Sequence, residues 1–79
     1  MVSLSELSPG DRGIIRSITP LVVDIRRRLL EMGMINGTTV EMVRFAPLGD
    51  PIEVRVRGYR LSLRKSEAQA IMVQRDRDR

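Results

Sequence analysis

The sequence contains no cysteine and no histidine, and its only aromatic residues are Phe45 and Tyr59. Without thiol or imidazole groups, the chain cannot form disulfides, zinc sites of the usual Cys/His kind or histidine-based acid–base catalysts. The longest apolar run, residues 70–73, is too short to cross a membrane. The first residues also lack the basic and apolar regions of a signal peptide. We therefore expect one small soluble domain that stays in the compartment where it is made, and the lack of cysteine is compatible with a reducing cytoplasm.

The groups left for catalysis are carboxylates and hydroxyls, and the carboxylates are scattered over different predicted elements. No glycine-rich loop of P-loop spacing is present in the sequence. Ferrous iron in proteins is usually held by imidazole together with carboxylate. Methionines at core spacing are more typical of gap-filling than of metal binding. The sequence therefore predicts a protein that is not an enzyme and that has no metal site or cofactor of its own.

The net charge of +4 comes from one short stretch of the chain. Residues 52–65 carry five basic groups and one acidic group, whereas the basic and acidic groups of the remaining residues balance, nine against nine. Such a stretch is a candidate surface for an anionic partner. Thirteen of the fourteen basic residues are arginine. This suits bidentate recognition of carboxylate or phosphate, although codon usage explains it at least as well.

One helix is indicated between residues 20 and 32. Thr19 and Pro20 are typical of an N-cap followed by proline in the first helical turn. Gly33 suits the left-handed residue that ends a helix, and Met34 is placed to pack back on the last turn. Apolar residues recur at spacings of three, four and three, which marks one buried helix face: Val22, Ile25, Leu29 and Met32.

Two strands and a loop surround this helix. Residues 13–18 follow a turn signal and read as a first strand. Residues 38–45 are rich in strand formers, but their apolar residues fall on both faces, so the strand is either covered on two sides or bent by a bulge. In the loop over residues 46–51, Pro47 and Gly49 fit positions i+1 and i+3 of a type I turn.

Residues 52–64 predict a β-hairpin, because apolar and polar residues alternate on both sides of Gly58. With Gly58 and Tyr59 as a two-residue type II′ turn, Val56 would pair with Leu61 and Arg57 with Arg60. Every inward pair is then apolar. The outward face would gather four arginines: Arg55, Arg57, Arg60 and Arg64.

The end of the chain completes a mainly β architecture. Residues 66–69 match a capping box that begins at Ser66 and starts one helical turn, and residues 71–73 would form the last strand. We expect a small SH3-like five-stranded antiparallel barrel, with one helix inserted after the first strand and a short helical turn before the last. The domain should cover residues 1–75, and the charged residues 76–79 should fray.

The residues that carry a family resemblance lie in four segments: residues 28–33 (Arg-Leu-Leu-Glu-Met-Gly), 37–38 (Gly-Thr), 46–51 (Ala-Pro-Leu-Gly-Asp-Pro) and 61–65 (Leu-Ser-Leu-Arg-Lys). In this order and spacing the chain resembles the ferrous iron transport protein A (FeoA) family. The resemblance implies an SH3-like barrel. It also implies a cytoplasmic accessory of a large membrane ferrous-iron transporter that bears its own GTP-binding domain. The same barrel occurs at the C-terminus of metal-responsive repressors, but we expect no DNA-binding role of that kind, because no segment of these 79 residues predicts a DNA-binding helical domain.

Two sets of residues are candidates for binding such a partner. Val23 and Leu30 extend the apolar face of the predicted helix, and Leu48 lies at a loop tip, so these three could form a docking patch or simply broaden the core. Arg55, Arg57, Arg60 and Arg64 could steer an acidic partner or be a solvated face. The alternative function is a small SH3-like module associated with RNA or nucleoprotein, although Tyr59 is the only aromatic among the arginines and nucleic-acid binding is disfavoured. Weak self-association is left open.

Overall fold

The computed structural model describes residues 1–19 and 23–76. The elements run in the order Val2–Ser3 (β1), a 3-10 helix at Leu4–Glu6, Arg12–Ile18 (β2), Val23–Glu31 (α1), Thr39–Phe45 (β3), Ile52–Val56 (β4), Tyr59–Leu63 (β5), Lys65–Gln69 (α2) and Ile71–Arg75 (β6). The strands form one antiparallel sheet in the order β1-β6-β2-β3-β4-β5. The predicted mainly β class, with a helix after the first long strand and a second before the last, is confirmed. The two-residue strand β1 was not predicted.

The core consists of aliphatic and methionine side chains, as the shortage of aromatics requires. In β4 the side chains of Ile52, Val54 and Val56 are buried while Glu53 and Arg55 face outward, because successive side chains of a strand point to opposite faces. Phe45 packs against this core but is only partly buried. Within the described ranges, no helix is long and apolar enough to span a bilayer.

The apolar residues on both faces of β3 are explained by a bulge. The pairing of β3 with β4 shifts register between Met42 and Arg44, which leaves Val43 as the extra residue and decides between the two alternatives that the sequence left open. A second shift lies in β2 between Ile15 and Ser17. Bulges of this kind bend a strand and increase its twist.

The predicted register of the hairpin is wrong. Val56 pairs with Tyr59 rather than Leu61, and Arg55 rather than Arg57 pairs with Arg60. The turn residues are Arg57 and Gly58, with φ angles of 54° and 85°, so both central residues have positive φ as in a type I′ turn. The error is a shift of two residues. Because the side-chain period of a strand is also two, apolar still meets apolar, and the pattern alone cannot separate the two registers.

Helix α1 agrees with its predicted face where it is described. Leu29 is fully buried, and Ile25 and Met32 pack against the core; Pro20 and Val22 lie outside the described residues. Gly33 has a φ of 99°. The N–H of Met34 donates to the Leu29 carbonyl at 3.0 Å, which completes a Schellman motif at the predicted helix end.

The predicted start of the second helix is wrong by two positions. The residue at the cap position of α2 is Arg64 and not Ser66. Arg64 has no acceptor to cap its own helix, so two carboxylates do this instead. Glu67 accepts from the Arg64 N–H at 2.9 Å, and Asp50 accepts from the Lys65 N–H at 3.0 Å. The cap thus comes partly from a distant loop.

That loop has the predicted turn. The Gly49 N–H donates to the Ala46 carbonyl at 2.7 Å, which places Pro47 and Gly49 at positions i+1 and i+3.

At the C-terminal end of the chain, the Asp76 N–H donates to the Arg12 carbonyl at 2.9 Å. Residues 77–79, the rest of the predicted tail, lie outside the described residues.

Candidate functional site

The structure brings two of the four hairpin arginines together. Arg55 and Arg60 are direct cross-strand partners on the outward face of β4 and β5. Arg57 lies in the turn, and Arg64 lies beyond the end of β5, next to α2. The arginines therefore follow the hairpin from its tip to its base instead of forming the compact four-residue cluster that the predicted register implied.

Two carboxylates on neighbouring strands partly neutralise this face. Glu41 Oε1 lies 3.2 Å from Arg55 Nη1, and Glu53 Oε1 lies 4.0 Å from Arg60 Nη1. These pairs relieve the repulsion between the directly opposed arginines. Sequence reasoning missed Glu41, although its place between Val40 and Met42 indicated the outward face of β3.

Part of the predicted apolar patch lies along α1. Val23 and Leu30 are seven residues apart, hence on nearly the same helix face, and their exposed fractions are 66% and 40%. Leu30 borders a groove of about 290 Å³ between α1 and β2, whose apolar lining also includes Ile18 and Ile35. Ile35 is 40% exposed and was missed, because it lies just beyond the predicted helix.

Leu48 occupies a separate position. It projects from the tip of the β3–β4 loop with 96% of its surface exposed. It is not among the residues that line the groove beside Leu30, and neither is Val23. Of the three predicted apolar site residues, Leu30 is the one that lines this groove.

An ion pair links α1 to α2 close to these surfaces. Glu67 has only 4% of its surface exposed, and its Oε2 pairs with Nη2 of Arg28. Its other oxygen accepts the Arg64 N–H, so both carboxylate oxygens have partners. With its oxygens engaged in this way, Glu67 holds the two helices together.

The acidic side chains do not converge. Among residues 1–19 and 23–76, no three acidic residues lie close enough together to hold a metal ion. That the protein has no tight metal site stays a prediction, which metal titration in solution can test.

Comparison with known proteins supplies the context for this surface. The family model of the FeoA domain matches residues 2–75. A curated relative from Porphyromonas gingivalis, a fusion of Fe(2+) transport protein A with the Fe(2+) transporter FeoB, is 42% identical over 71 residues, which cover 90% of this chain and 8% of that protein. The chain thus spans only a small part of the relative it matches.

Solved structures agree with the family match. The FeoA protein of Chlorobium tepidum is 43% identical, with a TM-score of 0.86 over 94% of this chain and 70% of that chain. The FeoA protein of Stenotrophomonas maltophilia, solved with zinc and described as a prokaryotic SH3 domain protein, is 36% identical, with a TM-score of 0.81 over 94% of this chain and 91% of that one. The predicted SH3-like architecture is confirmed.

Proposed function

Because the chain belongs to the FeoA domain family, we propose that it is a non-enzymatic cytoplasmic regulator that docks on a membrane ferrous-iron transporter carrying a GTP-binding domain. The observation that carries the proposal is the P. gingivalis relative, in which a similar domain and a ferrous-iron transporter are one polypeptide. Fusion keeps two domains at high effective concentration. For a separate chain, the same proximity has to come from a binding surface.

The docking surface we propose has an apolar anchor and a basic flank. Leu30 and Leu48 are large exposed apolar side chains, Val23 lies two turns before Leu30 on the same helix face, and all three would contribute burial to the interface. Arg55, Arg57, Arg60 and Arg64 would steer the encounter toward an acidic surface. An anchor and a steering surface affect different rate constants, so kinetics can separate them.

The experiment measures association and dissociation rates with the transporter's cytoplasmic domain, with and without guanine nucleotide. We expect Leu30→Asp to weaken binding mainly through faster dissociation with little salt dependence. Arg57→Glu combined with Arg60→Glu should slow association, and added salt should mimic that change. Arg12→Glu combined with Arg75→Glu makes the same change in net charge at two exposed positions on β2 and β6, outside both proposed surfaces, and is the matched control. If Leu30→Asp and the Arg57/Arg60 double variant stay folded and bind like the parent, the docking model is wrong.

The same proposal assigns the chain's part in iron transport to its partner and not to a metal site of its own. The S. maltophilia relative was solved with zinc, which makes the point worth measuring directly. We expect calorimetric titration with Fe²⁺ or Zn²⁺ at neutral pH to show no stoichiometric site of micromolar or better affinity, since the sequence has no imidazole or thiolate. One such site would contradict this expectation.

A further inference from the structure

The two ends of the sheet differ in a way that bears on binding. At one end, β1 has only two residues, and the Ser3 N–H is directed to the Glu6 carboxylate at 3.3 Å. At the other end, β5 has five residues, pairs with β4 alone among the strands that the structure describes, and contains neither proline nor a register shift. Short length, proline, bulges and charged side chains are the devices that commonly protect a sheet edge from further pairing, and of these β5 has only charge.

The free backbone groups of β5 can be identified from the register. The residues that flank a two-residue turn, Val56 and Tyr59, form a hydrogen-bonded pair, and such pairs alternate with non-hydrogen-bonded ones. The N–H and C=O groups of Arg60 and Ser62 therefore point away from β4. Within residues 1–19 and 23–76 no group hydrogen-bonds to them. The edge offers two donors and two acceptors in regular strand geometry.

The charge along this edge is predominantly positive, although Glu53 of β4 lies 4.0 Å from Arg60. Residues 57–66 contain four cations, Arg57, Arg60, Arg64 and Lys65, and no acidic residue. A second copy of the chain would bring the same cations against these, which disfavours pairing of β5 with itself. An acidic strand would be complementary. Beside Arg60, the partly buried Leu61 offers an apolar contact on the opposite face of the strand.

We infer that the outer edge of β5 binds an extended acidic segment of a protein partner as an added antiparallel strand. The backbone of Arg60 and Ser62 fixes its register, and carboxylates at alternate positions face Arg60 and the cations on either side of it. The residue between two carboxylates lies against Leu61. The inference rests on the proposed function only for the identity of the protein that carries the segment.

The test uses an acetylated and amidated heptapeptide of alternating glutamate and valine, added to the full chain and followed by amide hydrogen exchange. We expect saturating peptide to slow exchange of the Arg60 and Ser62 amides about tenfold, as for one new hydrogen bond each. The Tyr59 and Leu61 amides already bond to β4 and serve as internal controls. Lysine in place of glutamate should abolish binding.

Two matched pairs of variants test the backbone contacts. Ser62→Pro removes an outward N–H without breaking the bonds to β4, and we expect it to weaken binding about tenfold, whereas Ser62→Thr should bind like the parent. On the peptide, N-methylation of the glutamates should abolish binding, while N-methylation of the valines, whose amides face away from β5, should not. The peptide pair remains decisive if Ser62→Pro does not fold.

Several outcomes would overturn the inference: unprotected Arg60 and Ser62 amides with bound peptide, a glutamate-methylated peptide that binds like the parent, or no binding at millimolar peptide. Protection that rises with protein concentration alone would assign the edge to a second copy. Protection by a poly-dT oligonucleotide but not by the peptide would assign it to nucleic acid. Because the transporter is not used, a negative peptide result leaves the proposed function standing.

Discussion

The β4–β5 hairpin and helix α1 carry the two candidate surfaces, and they are attached to the molecule by different means. The hairpin is joined to β3 through a backbone ladder that is interrupted at the Val43 bulge and is regular on either side of it. Helix α1 is not in the sheet and depends on side chains: buried Leu29, the Arg28–Glu67 pair, and Arg26 Nη1, which donates to the Ile18 carbonyl at 3.0 Å. The positions of the basic residues on the hairpin are thus fixed by backbone hydrogen bonds, whereas the position of Leu30 depends on a few side-chain contacts of α1.

This difference predicts where single substitutions act. Loss of one side chain should loosen α1, but only a change of backbone conformation should disturb the hairpin. The following variants test that contrast in order of decreasing effect on the free energy of unfolding.

Leu29→Ala should have the largest effect, a loss of about 3 kcal/mol, because it leaves a cavity where a fully buried leucine joins α1 to the core. Leu30→Ala, next to it but 40% exposed, is the matched control and should cost under about 1 kcal/mol. Urea denaturation followed by circular dichroism measures both. Equal losses in the free energy of unfolding would show that Leu29 does not attach α1 to the core more strongly than Leu30 does.

Glu67→Ala should lower stability by about 2 kcal/mol, since it removes both the helix-to-helix ion pair and the acceptor for the Arg64 N–H. The loss is limited because the Arg28 side chain is half exposed and regains water. Glu67→Gln keeps one acceptor and should lose less. Faster amide exchange confined to α1 and α2 would confirm the assignment, and faster exchange in β4 and β5 would contradict it.

Gly58→Val should cost about 1.5 kcal/mol, because a β-branched residue is strained at the φ of 85° that the turn requires. Gly58→Asn is the matched control and should cost less, since asparagine tolerates this region. If both variants unfold at the parent's urea midpoint, the turn is not the one described.

Arg57→Asn should give the smallest change and the opposite sign, a gain of about 0.5 kcal/mol. Arg57 has a φ of 54°, and Asn-Gly is the preferred pair in a type I′ turn. Arg57→Ala, which lacks this preference, should not be stabilised. A loss of stability in Arg57→Asn would mean that the arginine side chain itself supports the hairpin tip.

The sequence predicted which face of a strand each side chain occupies better than it predicted which residues pair across strands. Alternation placed Val54 and Val56 inside and Arg55 outside, as observed, but alternation repeats every two residues and so permits both the predicted and the observed pairing of Arg60. The turn residues should have decided, yet glycine suits either central position. The prediction that Arg57 pairs with Arg60 is wrong for this reason.

Contacts between distant segments could not be predicted. Asp50 caps α2 from the β3–β4 loop, and Arg28 reaches Glu67 from another helix; neither pair has a spacing that a local pattern detects. Local signals did succeed where the physics is local, as in the Gly33 helix end and the turn that ends at Gly49. That a partner binds Val23, Leu30 and Leu48 together stays a prediction.

The bond from the Lys65 N–H to Asp50 has a consequence for Leu48. It fastens the C-terminal side of the β3–β4 loop to α2, while the Gly49–Ala46 bond closes the turn itself. The backbone around this almost fully exposed leucine has therefore already lost its conformational entropy on folding. A protein that covers Leu48 gains the apolar contact without having to order a loop, so the contact is preorganised and its affinity is not reduced by that step.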